Sequence, residues 1–159
     1  MARPPRRREE PILTRDRWGA IALAAGVTAL GTLAVLAWAP GPAAEAGEAT
    51  VAGTMAFTTF VLAQLANLLN VRSDRASVFR RRTLTNRWLW AAVALVLVLQ
   101  LAVTGVGPLQ RLFDTTSLTP LQWLVSAAVA SVVIAAEEVR KAVVRRTGGV
   151  TRPFDPATR

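Results

Sequence analysis

Four apolar stretches run through this chain and alternate with polar connections. Trp18–Ala39 covers 22 residues with no charge, Val51–Val71 carries no charge either, and Trp88–Val106 is 19 residues whose one amide is Gln100. The fourth stretch, Leu121–Ala136, has 16 charge-free residues, about 24 Å of helix at 1.5 Å per residue. A bilayer core of about 30 Å is crossed by roughly 20 apolar residues in a helix. The pattern therefore predicts four spans, at about 18–39, 51–71, 88–106 and 120–138, the last continuing through Glu137 and Glu138 into the interface. The first stretch follows a basic head as a secretory signal would, but it is too long for a cleavable core and right for a span.

Local signals mark the ends. Pro40-Gly41-Pro42 stops the first helix, and Gly105, Gly107 and Pro108 close the third. The fourth has a readable start: Thr119 as N-cap, Pro120 at the first helical position and Gln122 completing a capping box. Arg140 and Lys141 follow Glu137 by three and four residues, so they can pair with it on one helical face. The last stretch, Thr147–Arg159, holds two Gly and two Pro and reads as disordered. Trp18 and Trp38 bracket the first span, Trp88 and Trp90 open the third and Trp123 opens the fourth, as indole rings do at membrane interfaces.

Charge adds orientation. Of 19 Lys and Arg residues, six lie in Met1–Arg17, six in Arg72–Arg87 and six in Val139–Arg159; only Arg111 falls elsewhere. The connection after the first span carries Glu45 and Glu48 and no positive charge. Alternate connections are thus basic, which predicts that both termini and the Arg72–Arg87 loop face the cytoplasm. The expected fold is all-α: a four-transmembrane-helix bundle with a basic cytoplasmic segment over 1–17, a membrane domain over 18–138 and a basic cytoplasmic tail over 139–159. The expected location is the cell membrane, on this reading a bacterial plasma membrane. A formal charge of +9 would otherwise invite nucleic acid as a partner. Here the basic residues flank apolar spans, so an anionic lipid surface is the better partner and no nucleic acid is expected.

Composition excludes several chemistries. A chain with no Cys and no His has no disulfides, no zinc site of Cys/His type and no thiol or imidazole catalysis. It also has no Walker-type phosphate loop, and its only carboxylate pair near the membrane, Glu137-Glu138, reads as a helix end neutralised by Arg140 and Lys141 rather than as an ion pathway, so no catalytic residue and no cofactor is predicted. In the first span Ala22 and Gly26, and Ala25 and Ala29, stand four apart. That spacing lets helices approach closely, although a GC-rich coding bias yields the same residues and the sequence does not separate the two. The second span is the polar one, with Thr54, Thr58, Thr59, Gln64, Asn67 and Asn70. The three amides, spaced by three, drift round one side of the helix, so this helix is expected to be buried in the bundle. Their carbonyl oxygens suit hard cations, but calcium takes roughly six to eight oxygens, usually with carboxylates, so the residues alone favour interhelical hydrogen bonding.

The block Thr54–Ser73, TMAFTTFVLAQLANLLNVRS, resembles the eighth transmembrane helix of P-type cation-transporting ATPases of the calcium-pump-like group. Asn86-Arg87-Trp88-Leu89-Trp90 is similar to the start of their ninth helix. Pro108-Leu109 through Phe113, with Leu118 and Gln122-Trp123-Leu124, resembles the following external loop and the start of the tenth. Glu137-Glu138-Val139-Arg140-Lys141 looks like the tenth helix's cytoplasmic end, and Arg3-Pro4-Pro5 with Glu10-Pro11-Ile12-Leu13-Thr14 like the loop before the seventh.

The resemblance implies the seventh to tenth helices of such a pump without its first six helices or its actuator, nucleotide-binding and phosphorylation domains; the DKTGT motif does not occur here. It implies a supporting, membrane-anchoring module that is not an enzyme on its own. Such a module would serve cation transport only with the remaining helices of a pump, or persist as a truncated remnant. At the one cation-ligand position the family places on its eighth helix stands Gln64, where some calcium pumps carry Glu; Asn67 is the next candidate metal ligand, and Gln64, Asn67 and Asn70 together form the expected polar packing face. The alternative from another class is a small four-span transporter or accessory membrane protein acting as a homo-oligomer. Exporters of that kind bind cationic substrates with a membrane-embedded carboxylate, and the first three spans contain none.

Overall fold

The computed structural model describes residues 15–39, 41, 48–72 and 86–147. The basic head, most of the Arg72–Arg87 loop and the tail beyond Thr147, with the expectations attached to them, lie outside the described residues. Five helices follow in order: α1 (Arg15–Trp38), α2 (Val51–Arg72), α3 (Arg87–Gly105), α4 (Gly107–Phe113) and α5 (Pro120–Thr147). Four of them, all but the seven-residue α4, are long and apolar enough to cross a membrane. The all-helical, four-span expectation therefore holds.

The helix ends obey the local chemistry. At α5, Gln122 N–H donates to Thr119 Oγ1 at 3.3 Å and Thr119 N–H donates back to Gln122 Oε1 at 2.8 Å, closing the expected capping box. At α3, Asn86 Oδ1 accepts from the backbone of Trp88 (3.1 Å) and Leu89 (3.2 Å). At α2, Thr50 Oγ1 accepts from Gly53 N–H at 3.0 Å. The sequence reading has no helix between the third and fourth spans, but α4 forms there. Pro108 in its first turn needs no hydrogen-bond acceptor, and Asp114 closes it in the left-handed region at φ 49°. At the other end of the bundle, α5 runs to Thr147, nine residues beyond the predicted span, and its apolar stretch extends to Val144.

Helices α1, α2 and α5 pack on one another and form the core, whereas α3 leans lightly on α2 and is otherwise held by α4. The contact layer between α2 and α5 is small: Ala63, Ala66, Ala130 and Val133, flanked by Val27, Leu62 and Ile134. Lipid tails are as apolar as leucine, so burying large apolar side chains gains little; close approach and interhelical hydrogen bonds hold such helices together. At Gly31, α1 runs close to α5: a Cβ there would lie 2.9 Å from Val129 Cγ1.

The distribution of side chains is the reverse of a soluble domain's. Buried positions include Thr28, Thr54, Thr58, Thr59, Asn70, Gln100, Thr104 and Ser126, while Leu30, Leu33, Val98, Leu101 and Leu124 are all more than half exposed. Such an apolar exterior needs a lipid solvent. The exterior ends of the spans carry Trp18, Trp38 and Trp88, each more than half exposed, in keeping with interfacial belts.

Candidate functional site

A cleft of about 460 Å³ opens between α1 and α2. One wall is the α1 ridge of Ala20, Ala24, Ala25 and Thr28, with Ile21 beside it. The opposite wall is Gln64, Asn67, Asn70 and Val71 of α2, and Glu137 of α5 closes one end. All three amides singled out in the sequence therefore face one space.

They are not equivalent. Residues three apart on an α-helix turn by about 60° relative to one another. Gln64 is accordingly exposed, Asn67 half-buried and Asn70 buried. The drift turns Asn70 into the bundle, where its Nδ2 donates to the Val133 carbonyl of α5 at 3.3 Å. The side chains of Gln64 and Asn67 make no hydrogen bond to any described residue. Interhelical bonding engages the side-chain nitrogen of Asn70, while all three amide side chains line the cleft.

The charged end brings α5 against the last turn of α2. Arg140 Nε donates to both oxygens of Glu137, at 3.0 and 2.9 Å, and the guanidinium adds a further contact through Nη2. This is the expected i,i+3 pair, in the fork geometry that arginine offers a carboxylate. Lys141, expected to share Glu137, instead has its Nζ 3.6 Å from Glu138 Oε1 and 3.4 Å from the carbonyl oxygen of Asn70. Lys141, only 4% exposed as a residue, sets its ammonium at the C-terminus of α2, where the helix dipole favours a positive charge. Asn70 and Lys141 together join the last turn of α2 to α5.

A second polar network lies at the far end of α2. Gln100 Nε2 donates to Thr58 Oγ1 at 2.9 Å, Thr104 Oγ1 to the Gln100 carbonyl at 3.0 Å, and Gln110 Nε2 to the Thr104 carbonyl at 2.7 Å and to Ser117 Oγ at 2.9 Å. Thr116 N–H donates to Thr54 Oγ1 at 3.0 Å, and Thr115 Oγ1 to the Val103 carbonyl at 2.6 Å. The sequence reading missed this set, although a signal was present. Thr58 lies about 10 Å from the start of α2 and Gln100 about 8 Å from the end of α3, so antiparallel neighbours place them at matching depth.

Chemically, the cleft offers neutral amide oxygens, and its one carboxylate is already held by arginine. Among the described residues no three His, Cys, Asp or Glu side chains gather into a group able to hold a metal ion. The cleft therefore supplies donors toward a site completed by other groups.

Comparison with known proteins agrees with this picture. The family profile described as "Cation transporting ATPase, C-terminus" matches residues 1–143. "Calcium-transporting ATPase 1" of Schizosaccharomyces pombe is 32% identical over 93% of this chain, a stretch that makes up 16% of the relative. "Calcium-transporting ATPase type 2C member 2" of Mus musculus is 35% identical over 89% of the chain and 15% of its own length. "Calcium-transporting ATPase" of Bacillus subtilis is 38% identical over 51% of the chain and 9% of its own length. This chain thus spans about one sixth of the first two of these relatives. An all-helical, four-span bundle matched along nearly its whole length belongs to the C-terminal membrane region of the cation-transporting ATPase family.

Proposed function

We propose that this chain is the membrane-anchoring module of a P-type cation pump, and that it serves transport only when joined to the rest of a pump. The observation that carries the reading is the match over residues 1–143 set against a span of only 15–16% of the relatives. Calcium is the proposed cargo, after the names of those relatives. Gln64 is the chain's proposed contribution to a cation site, with Asn67 beside it, and the remaining oxygens come from other helices. The module hydrolyses no ATP by itself and resides in the cell membrane. The rival reading, a four-span transporter acting as a homo-oligomer, needs an available carboxylate in the membrane. Glu137 lies on the cleft, but its carboxylate is engaged by Arg140.

The test is co-expression with a calcium pump cut before its last four helices. The expected result is co-purification and restored ATP-driven calcium uptake in membrane vesicles. Flux through vesicles containing this chain alone, with no association to the pump body, would overturn the proposal.

A further inference from the structure

Most enclosed hydroxyls of this bundle are hydrogen-bonded. Thr54 donates to the Thr50 carbonyl, Thr104 to that of Gln100, Thr115 to that of Val103 and Ser126 to that of Met55, while Thr58 accepts from the Gln100 amide. Two stand apart, Thr32 on α1 and Thr59 on α2. Each Oγ1 is enclosed, yet neither finds a hydrogen-bond partner among the described residues. A helical threonine can donate to the carbonyl four residues back, as Thr54 does; these two do not. Leaving a hydroxyl unpaired inside a membrane is costly, because acyl chains supply no partner.

The two hydroxyls lie at one level of the same core. Thr32 is about 9 Å along α1 from its end at Trp38, and Thr59 about 12 Å along α2 from its start at Val51. Consecutive spans run in opposite directions and these two pack together, so the depths match. Helix α5 gives a second ruler. Gly31, next to Thr32, lies against Val129, and Ser126 reaches the carbonyl of Met55, one turn from Thr59. Both threonines also stand in the buried row of their helix. Thr28 and Val35 are buried one turn either side of Thr32, and Met55 and Ala63 one turn either side of Thr59, itself 1% exposed. We infer that the core of α1, α2 and α5 holds one buried water molecule, bridging Thr32 Oγ1 and Thr59 Oγ1 at the level of Ser126. The two hydroxyls do not bond each other directly, so the bridge needs a third group. Water takes roughly two to four polar partners. Thr32 and Thr59 supply two, and Ser126, whose bond to Met55 is a long 3.4 Å, is a third within the same level. A cation is the poorer occupant. Hard cations take roughly six or more oxygens, usually with carboxylates, and no acidic residue stands within two turns of Thr32, Thr59 or Ser126 along their helices.

The test counts long-lived internal waters by water-oxygen magnetic relaxation dispersion, on the full chain in detergent micelles. The parent is compared with T32V, T59V and T32V/T59V, which replace a hydroxyl by a methyl group of similar size. S131A serves as control, since Ser131 is on the exposed side of α5 and its hydroxyl is held by the Ala128 carbonyl. The expected result is the loss of one long-lived water in T32V/T59V and none in S131A. Thermal unfolding gives an independent readout. Each single variant leaves the water and the other hydroxyl short of a partner, whereas the double variant leaves no orphan. The drop in unfolding midpoint for T32V/T59V should therefore be smaller than the sum of the single drops. An equal water count in parent and double variant overturns the inference; if the unfolding effects are nonetheless coupled, a direct hydroxyl contact joins the helices instead. Strictly additive single effects overturn it as well, because two unlinked hydroxyls share no water. Should a variant not fold, nuclear Overhauser contacts from water to the amide protons of Thr32 and Thr59 are read in the parent. Their presence supports the bridge and their absence overturns it.

Discussion

Replacing Gly31 by alanine should loosen the junction of α1 and α5, by an amount that the geometry sets. The new methyl carbon would sit 2.9 Å from Val129 Cγ1, against an optimum of about 3.5–4.0 Å between carbon atoms. Relief requires a movement of about 0.6–1 Å. Val129 cannot easily swing its methyl aside, because a β-branched side chain in a helix holds one χ1 rotamer about 90% of the time. The helices must therefore part, next to the Ala130 and Val133 positions of the core layer. Overpacking of this kind costs about 1–3 kcal/mol, while alanine gains about 0.8–1.0 kcal/mol over glycine in a helix. The expected net loss is about 1 kcal/mol, a roughly fivefold shift in the unfolding equilibrium. The assay is reversible unfolding in mixed detergent micelles followed by helical circular dichroism, for G31A, V129A and the double variant. Removing the Val129 methyls makes room for the new one, so the double variant should be no less stable than V129A alone, with a coupling of about 1–2 kcal/mol. G31A as stable as the parent, or strict additivity with V129A, would refute the reasoning.

Three further outcomes follow from other contacts. Lys141→Met removes the ammonium from the Asn70 carbonyl and from Glu138 and should cost about 2 kcal/mol in the same unfolding assay, with Lys141→Arg recovering most of it; an unchanged midpoint for Met would mean that the ammonium does not hold α2 to α5. Gln100→Leu breaks the bond to Thr58 at a cost of about 1 kcal/mol and should raise amide hydrogen exchange across α3 while leaving α1, α2 and α5 protected; uniform exchange would mean that α3 is held otherwise. Cysteine placed at Leu112, 73% exposed on α4, should react with an impermeant maleimide in intact cells, and cysteine placed at Arg81 only after lysis; the opposite pattern would invert the orientation read from the charges.

Part of the candidate site was visible without coordinates. The polar character of the second span stands out in any reading of Val51–Val71, and the family resemblance picks Gln64 from it. The spacing of Gln64, Asn67 and Asn70 shows that they share a side of the helix, but not that the side is divided. Only the neighbours decide that Asn70 reaches Val133 from the cleft while the side chains of the other two line the same cleft without such a bond. Similarly, Arg140 and Lys141 were equal candidates for Glu137 by spacing. The choice fell to Arg140 because the α2 terminus lies within reach of the Lys141 ammonium.

The amino-acid order alone determined the number of spans, their approximate limits, the predicted orientation and the start of α5. These are sums of transfer free energy along a segment, or hydrogen bonds between residues three or four apart, and both are written in one dimension. Tertiary structure decided which three helices form the core, that α3 stands to the side, that α4 forms in the connection, and which amides are left facing a gap. Those outcomes depend on which side of one helix meets which side of another. In lipid that choice rests on close fit and paired polar groups rather than on hydrophobicity, and neither can be summed along a single strand of sequence.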